Sequence, residues 1–395
     1  MTKATKRSLF PFLIIVYEIA LYLSNDMYLP SMPAIAKDLS FSQHEIQSTL
    51  TFWFLGASSL QFVLGPISDR YGRRIIIIAG GLCFTLSSAV CAMANSLSVL
   101  IMARFIQGIS ICTLVAVYAA VHELYNTKDA IKLLALVGAV TILAPAFGPL
   151  IGSLIIQFAD WRYIFWVLFG LGTLSLASIM LYMPETNLSR KTLHFKSIVS
   201  DYAKIMVNPN FLKPCGCYFF LVSVQFIWIF ESPFIMIELY NTSTLFYGIA
   251  QTFIFSCFFI GAAATKWLLD RYSVQALIRY ALGITVVGML VFWAGSIYYP
   301  TINMAIISMM IISLGSSMLF GPFNRMSFEA CKQPIGMITA VFTTSTSLAG
   351  TLTGVVLSLV NSRTLFTVAT LSMMCIVMSV MLMIYTKIPS SVTRK

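Results

Sequence analysis

Charge is what this chain has least of. Only 10% of its 395 residues are Asp, Glu, Lys or Arg, and only 14 of them are acidic. Soluble domains carry about 25% charged residues, so the composition excludes a water-soluble enzyme or binding module. Long polar stretches are also missing. The longest is about 184–210, PETNLSRKTLHFKSIVSDYAKIMVNPN, which leaves no room for a soluble sensor domain. No GxxxxGK[ST] loop is present, which excludes ATP-driven transport by this chain alone. Eight cysteines make no metal set: Cys215-Gly-Cys217 is one residue short of the usual pair spacing. They read as small apolar packing groups, and neither metal nor other cofactor is expected. The first apolar run is too long for a cleavable signal and lacks a small-residue cleavage site.

Apolar spans fill the remainder. The chain is 58% hydrophobic, with a mean hydropathy of +0.87. With roughly 20 apolar residues per crossing, twelve spans fit, near 10–36, 45–68, 75–95, 97–122, 131–156, 161–183, 211–239, 244–268, 275–297, 302–329, 335–360 and 364–386. The expected fold is an all-α membrane protein. It has a six-helix half over 1–183, a linker over 184–210, and a second six-helix half over 211–395. Within the linker, Ile198, Tyr202, Ile205 and Met206 recur at helical spacing and predict a short amphipathic helix on the membrane surface.

The net charge of +11 follows topology rather than a nucleic-acid footprint. Threading twelve spans from a cytoplasmic N-terminus puts twenty of the twenty-five Lys and Arg on the cytoplasmic side, among them Arg190, Lys191, Lys387, Arg394 and Lys395. The opposite side receives Lys37, Arg162 and Arg363. This bias orients the chain with both termini inside. Arg104 and Arg325 fall inside spans.

Four motifs carry chemistry. The first is Gly65-x-x-x-Asp69-Arg70-x-Gly72-Arg73-Arg74, between spans 2 and 3. Its glycines allow a tight turn, and Asp69 suits the N-terminus of a partner helix, where the dipole favours an anion. A shorter echo, Asp270-Arg271-Tyr272, follows span 8 without the Gly-Arg-Arg. The second is Arg104-x-x-Gln107-Gly108 in span 4. Arg104 lies about 12 Å from one membrane face and Asp26 of span 1 about 15 Å from the same face. A buried arginine alone is costly and a pair is tolerable, so an Asp26–Arg104 pair is expected. A fixed structural ion pair that never titrates is the plain alternative.

The third motif is GAVTILAPAFGPLIG in span 5, where Ala144, Gly148 and Gly152 form a small-residue face and Pro145 and Pro149 remove backbone donors. Tight packing alone is one sufficient account of it. The fourth is span 1, FPFLIIVYEIALYLSNDMYLPSMPAIA, with Glu18 and Asp26 in apolar surroundings. They sit about 80° apart around a helix and about 12 Å along it, and Pro30 loosens the helix beside Asp26. Acids inside a span mark ion or substrate pathways by default.

The loop of residues 65–74 strongly resembles the signature loop of the major facilitator superfamily. RFIQGIS resembles its span-4 motif linked to proton transfer. APAFGPLIG resembles its antiporter motif, which marks exporters and is usually absent from symporters. DMYLPSMP resembles the Bcr/CflA drug-resistance group, as does the pairing of Tyr17-Glu18 with Asn25-Asp26-Met27. The resemblance covers the first half and thins in the second, where it reaches Trp228-Ile229-x-x-Ser232-Pro233 and Arg325. It implies proton coupling through Asp26, Glu18 and Arg104, and cargo binding by Glu18 and Asp26. Candidate walls are Tyr22, Trp53, Tyr118, Trp228, Glu231 and Arg325. It also implies alternating access around a cavity between the halves, with substrate and protons competing for the acids.

Glu231 is an additional membrane acid outside the family pattern. Glu123, His122 and the Arg325–Glu329 pair read as interfacial. Glu18, Asp26 and Glu231 outnumber the buried bases Arg104 and Arg325 by one, which favours lipophilic cationic or zwitterionic cargo. Twenty-one methionines and clustered aromatics suit an adaptable apolar pocket. The expectation is a monomeric, proton-coupled exporter of small molecules in a bacterial inner membrane, contacting lipid and no nucleic acid. A dedicated exporter of one endogenous metabolite or siderophore is the first alternative, and a nutrient symporter the second.

Overall fold

The computed structural model describes residues 3–187, 195–360 and 364–385. All regular structure among them is helical. In chain order the helices are α1 (Lys3–Asp26), α2 (Met32–Asp38), α3 (Gln43–Ser59), α4 (Gln61–Tyr71), α5 (Arg73–Ala92), α6 (Leu97–Ile111), α7 (Leu114–Leu124) and α8 (Thr127–Phe158). There follow α9 (Arg162–Tyr182), α10 (Phe195–Met206), α11 (Pro209–Pro233), α12 (Thr244–Leu269), α13 (Val274–Tyr298), α14 (Ile302–Glu329), α15 (Ile335–Ser358) and α16 (Leu365–Ile384). Eleven stretches of the described chain are long and apolar enough to cross a bilayer, and α3 with α4, bent by 45°, makes a twelfth.

Hydroxyl and amide side chains start the helices as local chemistry requires. Ser42 and Glu45 form a capping box at α3. Asn126 accepts from the Asp129 amide at α8, and Ser243, Ser273 and Thr301 cap α12, α13 and α14. Besides the bend between α3 and α4 in span 2, three further spans are not the single rods that periodicity suggests. Span 1 breaks after Asp26, span 4 breaks at Cys112–Thr113, and α11 continues into a π-helical turn over Phe234–Leu239. The first break lies where Pro30 removes a donor. The second contains neither proline nor glycine, so no local signal announces it.

The chain divides into two compact units, Met1–Phe195 and Lys196–Lys395, and the division falls within the 184–210 interval. In the first, α1 packs on α8 and α9, α3 on α6, and α5 on α6 and α9. In the second, α14 packs on α12 and α13, and α11 on α16. Outward positions carry Leu82, Leu86, Trp166, Val287 and Met381, the apolar coat a bilayer requires. Helix α10 spans the interval where the amphipathic helix is expected. Ile205 is its buried residue, while Met206, assigned to the same face, is exposed. Arg190, Lys191, Arg363, Lys387, Arg394 and Lys395, used above for orientation, lie outside the described residues.

Candidate functional site

The break in span 1 places the first acid. Helix α1 closes on Asp26, the Met27 amide still reaching the Leu23 carbonyl at 2.9 Å. The chain then turns through Leu29–Ser31 before α2 begins. Asp26 is 6% exposed, and its Oδ1 accepts from Asn25 Nδ2 at 3.1 Å. Helix α8 closes on this segment at its antiporter-like glycines. A Cβ at Gly148 would overlap Asp26, and one at Gly152 would overlap the Met27 carbonyl. Gly148 and Gly152 therefore admit the irregular backbone that carries Asp26, while Pro145 and Pro149 stay within the helix.

Arg104 does not form the expected direct ion pair with Asp26. The guanidinium is fully buried, and its Nη1 donates instead to the Ser24 carbonyl at 2.9 Å and Gln107 Oε1 at 2.6 Å. Gln107 Nε2 in turn donates to Ser88 Oγ at 2.8 Å. Nε and Nη2 have no hydrogen-bond acceptor among the described residues. The Tyr28 ring covers the guanidinium at 4.4 Å and Trp53 lies at 5.8 Å, giving the cation two aromatic faces. The depth match holds, since Arg104 reaches the α1 backbone two residues before Asp26. The break in span 1 turns the carboxylate aside, and Asn25 takes the place of the arginine.

Glu18 belongs to a second cluster on α1. Its side chain is fully buried, and Tyr118 of α7 donates to its Oε1 at 2.9 Å. Tyr22, one turn after Glu18, also hydrogen-bonds to Tyr118. Six of the predicted site residues thus fall into two groups of the first half, Asp26 near Arg104 and Trp53, and Glu18 with Tyr22 and Tyr118.

The second half places its predicted residues differently. Trp228 is fully buried within α11, where its Nε1 donates to Gln251 Oε1 at 3.2 Å. Gln251 Nε2 continues to Ser232 Oγ at 3.1 Å, and Phe292 meets the indole edge-on at 6.3 Å. Trp228 therefore packs α11 against α12 and α13. Glu231 is 5% exposed, two residues before Pro233 and the π-helical turn. Arg325 corrects the expectation of a second buried base. Its side chain is 72% exposed and pairs with Glu329 one turn later. Among the described residues, three buried acids inside the spans, Glu18, Asp26 and Glu231, now stand against Arg104, with Arg73 buried at the very start of α5.

The loop between α4 and α5 forms a charge-linked clamp. Gly72 has φ +110°, a conformation open chiefly to glycine, and a Cβ there would strike the Glu185 carboxylate. Asp69 does not occupy a helix N-terminus as expected; its carboxylate pairs with Arg73. Glu185 takes the N-terminal position of α5, accepting from the Arg73 amide at 2.9 Å and the Arg74 amide at 3.3 Å. Arg73 also pairs with Glu123 at 3.1 Å, and Arg74 Nη2 donates to the Met180 carbonyl at 2.6 Å. Asn187 Nδ2 holds the Asp69 carbonyl at 2.7 Å. Gly65 lies within α4, and Arg70 stacks on Tyr71 at 5.4 Å.

Glu123 and Glu185 are the residues that sequence reasoning left out of this clamp. The available signal was the start of α5, which has no side-chain cap of its own. At the opposite end of the first half, Asp38 accepts from Trp161 Nε1 at 3.1 Å and Arg162 Nη1 at 2.9 Å, a link between loops that was also missed.

Known proteins agree with this architecture. The chain is 35% identical over 303 residues to the multidrug transporter MdfA of Yersinia pestis (strain Angola), covering 76% of this chain and 74% of that one. It is 29% identical to the multidrug resistance protein MdtM of Salmonella typhimurium, over 84% of this chain and 81% of the other. It is 28% identical to the chloramphenicol resistance protein CraA of Acinetobacter baumannii, with the same coverage of both. Among solved structures, the Escherichia coli xylose transporter XylE in a partially occluded inward-open conformation superposes with a TM-score of 0.71, over 97% of this chain and 98% of that one, at 14% identity. The model of the Major Facilitator Superfamily matches residues 14–354. With its helical spans, its clamp and its buried acids on a broken first span, this chain is a multi-pass membrane transporter, not an enzyme, and belongs to the Major Facilitator Superfamily.

Proposed function

We propose that the protein exports lipophilic cationic or zwitterionic compounds from the bacterial cytoplasm in exchange for protons, by alternating access across the inner membrane. The observation that carries this reading is the state of Asp26. It is buried, and among the described residues its carboxylate is held by a hydrogen bond from Asn25 rather than by an ion pair with Arg104. An acid locked into a bidentate pair would resist exchanging its proton, whereas this one keeps its carboxylate available. Desolvation favours the neutral form of a carboxyl and a nearby cation favours the charged form. Proton and cationic cargo then compete for Asp26 and Glu18, and the competition is the coupling.

The relatives' names, two multidrug proteins and one chloramphenicol resistance protein, support a broad apolar cargo. The charge balance supports cationic groups on it. A dedicated exporter of a carboxylated metabolite needs an open arginine for the carboxylate; Arg325 is already paired with Glu329 and Arg104 is sealed behind Tyr28. Glu231 adds a third acid for cargo, while Trp53 supplies an aromatic face near Arg104 and Tyr118 meets Glu18. The proposal includes a monomer embedded in lipid, with both termini and the clamp on the cytoplasmic side, as the distribution of Lys and Arg requires.

Addition of tetraphenylphosphonium to the detergent-solubilised protein near neutral pH should release protons. Glu18→Gln and Asp26→Asn should each reduce the release, and the double variant should abolish it. Full release from the double variant would place the exchanging proton elsewhere, with Glu231 next in line.

A further inference from the structure

Next to the Glu18 cluster lies a contact that the proposed exchange has not used. Tyr17 of α1 is 1% exposed, and its hydroxyl meets Thr113 Oγ1 at 2.7 Å. Thr113 sits in the break between α6 and α7, and its Oγ1 donates to the Ser110 carbonyl at 2.6 Å. Tyr17 therefore donates to Thr113, and Thr113 passes the bond to a carbonyl at the end of α6. Helix α5 leaves room for this junction: a Cβ at Gly80 would overlap both Thr113 and the Tyr17 hydroxyl. Three spans converge on one hydroxyl pair inside an apolar interior, where an unmade hydrogen bond is costly.

The location of the pair gives it a task. Tyr17 precedes Glu18, and Thr113 precedes Tyr118 by about one and a half turns of α7. Tyr17–Thr113 and Glu18–Tyr118 are successive links between α1 and α7. The second runs through the long Tyr118 side chain; the first fixes the start of α7 directly beside Tyr17. Arg104, on the other side of the break, is held separately by Ser24 and Gln107.

We propose that the Tyr17–Thr113 hydrogen bond is a positioning pair for the Glu18 site, setting α7 so that the Tyr118 hydroxyl meets the carboxylate that receives the cation. The break in span 4 lets this setting be made independently of Arg104. The proposal rests on Glu18 being a cation-binding acid, and its test separates the two claims.

Tetraphenylphosphonium affinity is measured for the full-length protein in detergent. Tyr17→Phe and Thr113→Val preserve shape and remove the bond; each should weaken binding by about three- to tenfold, the equivalent of one buried hydrogen bond. Thr113→Ser keeps the hydroxyl and should restore affinity. In a Glu18→Gln background, Tyr17→Phe should add nothing, because the pair acts through Glu18. In an Arg325→Ala background it should keep its full effect. Equal loss in the Glu18→Gln background, or failure of Thr113→Ser to restore binding, makes the contact ordinary packing and overturns the proposal. A Glu18→Gln protein that binds the cation as the wild type does overturns the functional reading, and this proposal with it.

Discussion

The two halves handle buried polarity in opposite ways. In the first, the interior holds Glu18, Asp26 and Arg104, joined to tyrosines, an asparagine and a glutamine. In the second, the interior is mostly neutral. Gln225 links to Ser313 and Ser316, Gln251 links Trp228 to Ser232, and Ser379 donates to the Cys217 carbonyl. Glu231 is the acid there, beside a π-helical turn of the kind often found at functional sites. Neutral amide and hydroxyl networks fix helix packing at every pH. Carboxyls change with the proton. In the proposed function the first half exchanges protons and the second presents a steady wall, so the two would differ in chemistry while sharing a plan.

The repeated loop teaches the same lesson. Asp69-Arg70-Tyr71 is followed by Gly-Arg-Arg and is tied to Glu123 and Glu185. Asp270-Arg271-Tyr272 lacks that continuation, and Arg271 stacks on Trp267 at 4.1 Å with no ion pair among the described residues. The same tripeptide becomes a clamp only where a positive-φ glycine exposes the start of the next helix to an acid.

The largest expected effect on transport attacks the contrast between the interiors. Asp26→Asn should cut proton-coupled efflux in everted vesicles by about tenfold or more, a loss of about 1.4 kcal/mol of coupling. Gln251→Ala should lower thermal stability and leave coupling per folded molecule intact. Equal losses of coupling from both would erase the proposed division between the halves.

The clamp comes next. Glu185→Gln weakens a charge-assisted cap and should cost about 1.5–3 kcal/mol, read as a lower melting temperature in detergent. Arg271→Ala should stay within about 0.5 kcal/mol. A protein equally indifferent to both substitutions would show that the two loops are equivalent after all.

Close packing distinguishes single glycines at intermediate size, and each half has both tight and open ones. Gly148→Ala puts a methyl group into Asp26 and should cost about 1–3 kcal/mol of strain, with transport falling more than expression. Gly321→Ala on α14 meets nothing within 4 Å and should be silent. Transport unaffected by Gly148→Ala would detach the antiporter-like motif from the acid it touches. The smallest effect belongs to Arg325→Ala, an exposed pair worth about 0–1 kcal/mol, for which cationic dye binding should barely change.

The number of spans and the acids of span 1 were legible from composition and spacing, because a bilayer admits few ways to hide a backbone. The clamp was half legible: the glycines and arginines announce a loop, but Glu123 and Glu185 reach it from about 50 and 112 residues away. Trp228 and Arg325 show the limit from the other side. Both carry the residue types a site needs, yet one is absorbed into packing and the other swings outward to Glu329.

What the sequence by itself determined is the class of solution: apolar spans of membrane length, positive loops, acids too costly to bury without use, and a proline that loosens span 1 beside Asp26. Local rules suffice for these, since each depends on a residue and its near neighbours. Only the tertiary structure decided that Arg104 would bond Ser24 and Gln107 rather than Asp26, that Gly148 would seat the broken span, and that span 4 would break at Thr113. Those outcomes depend on which side chain from a distant helix arrives first at a buried donor. In an interior without water every such donor competes for the same few acceptors.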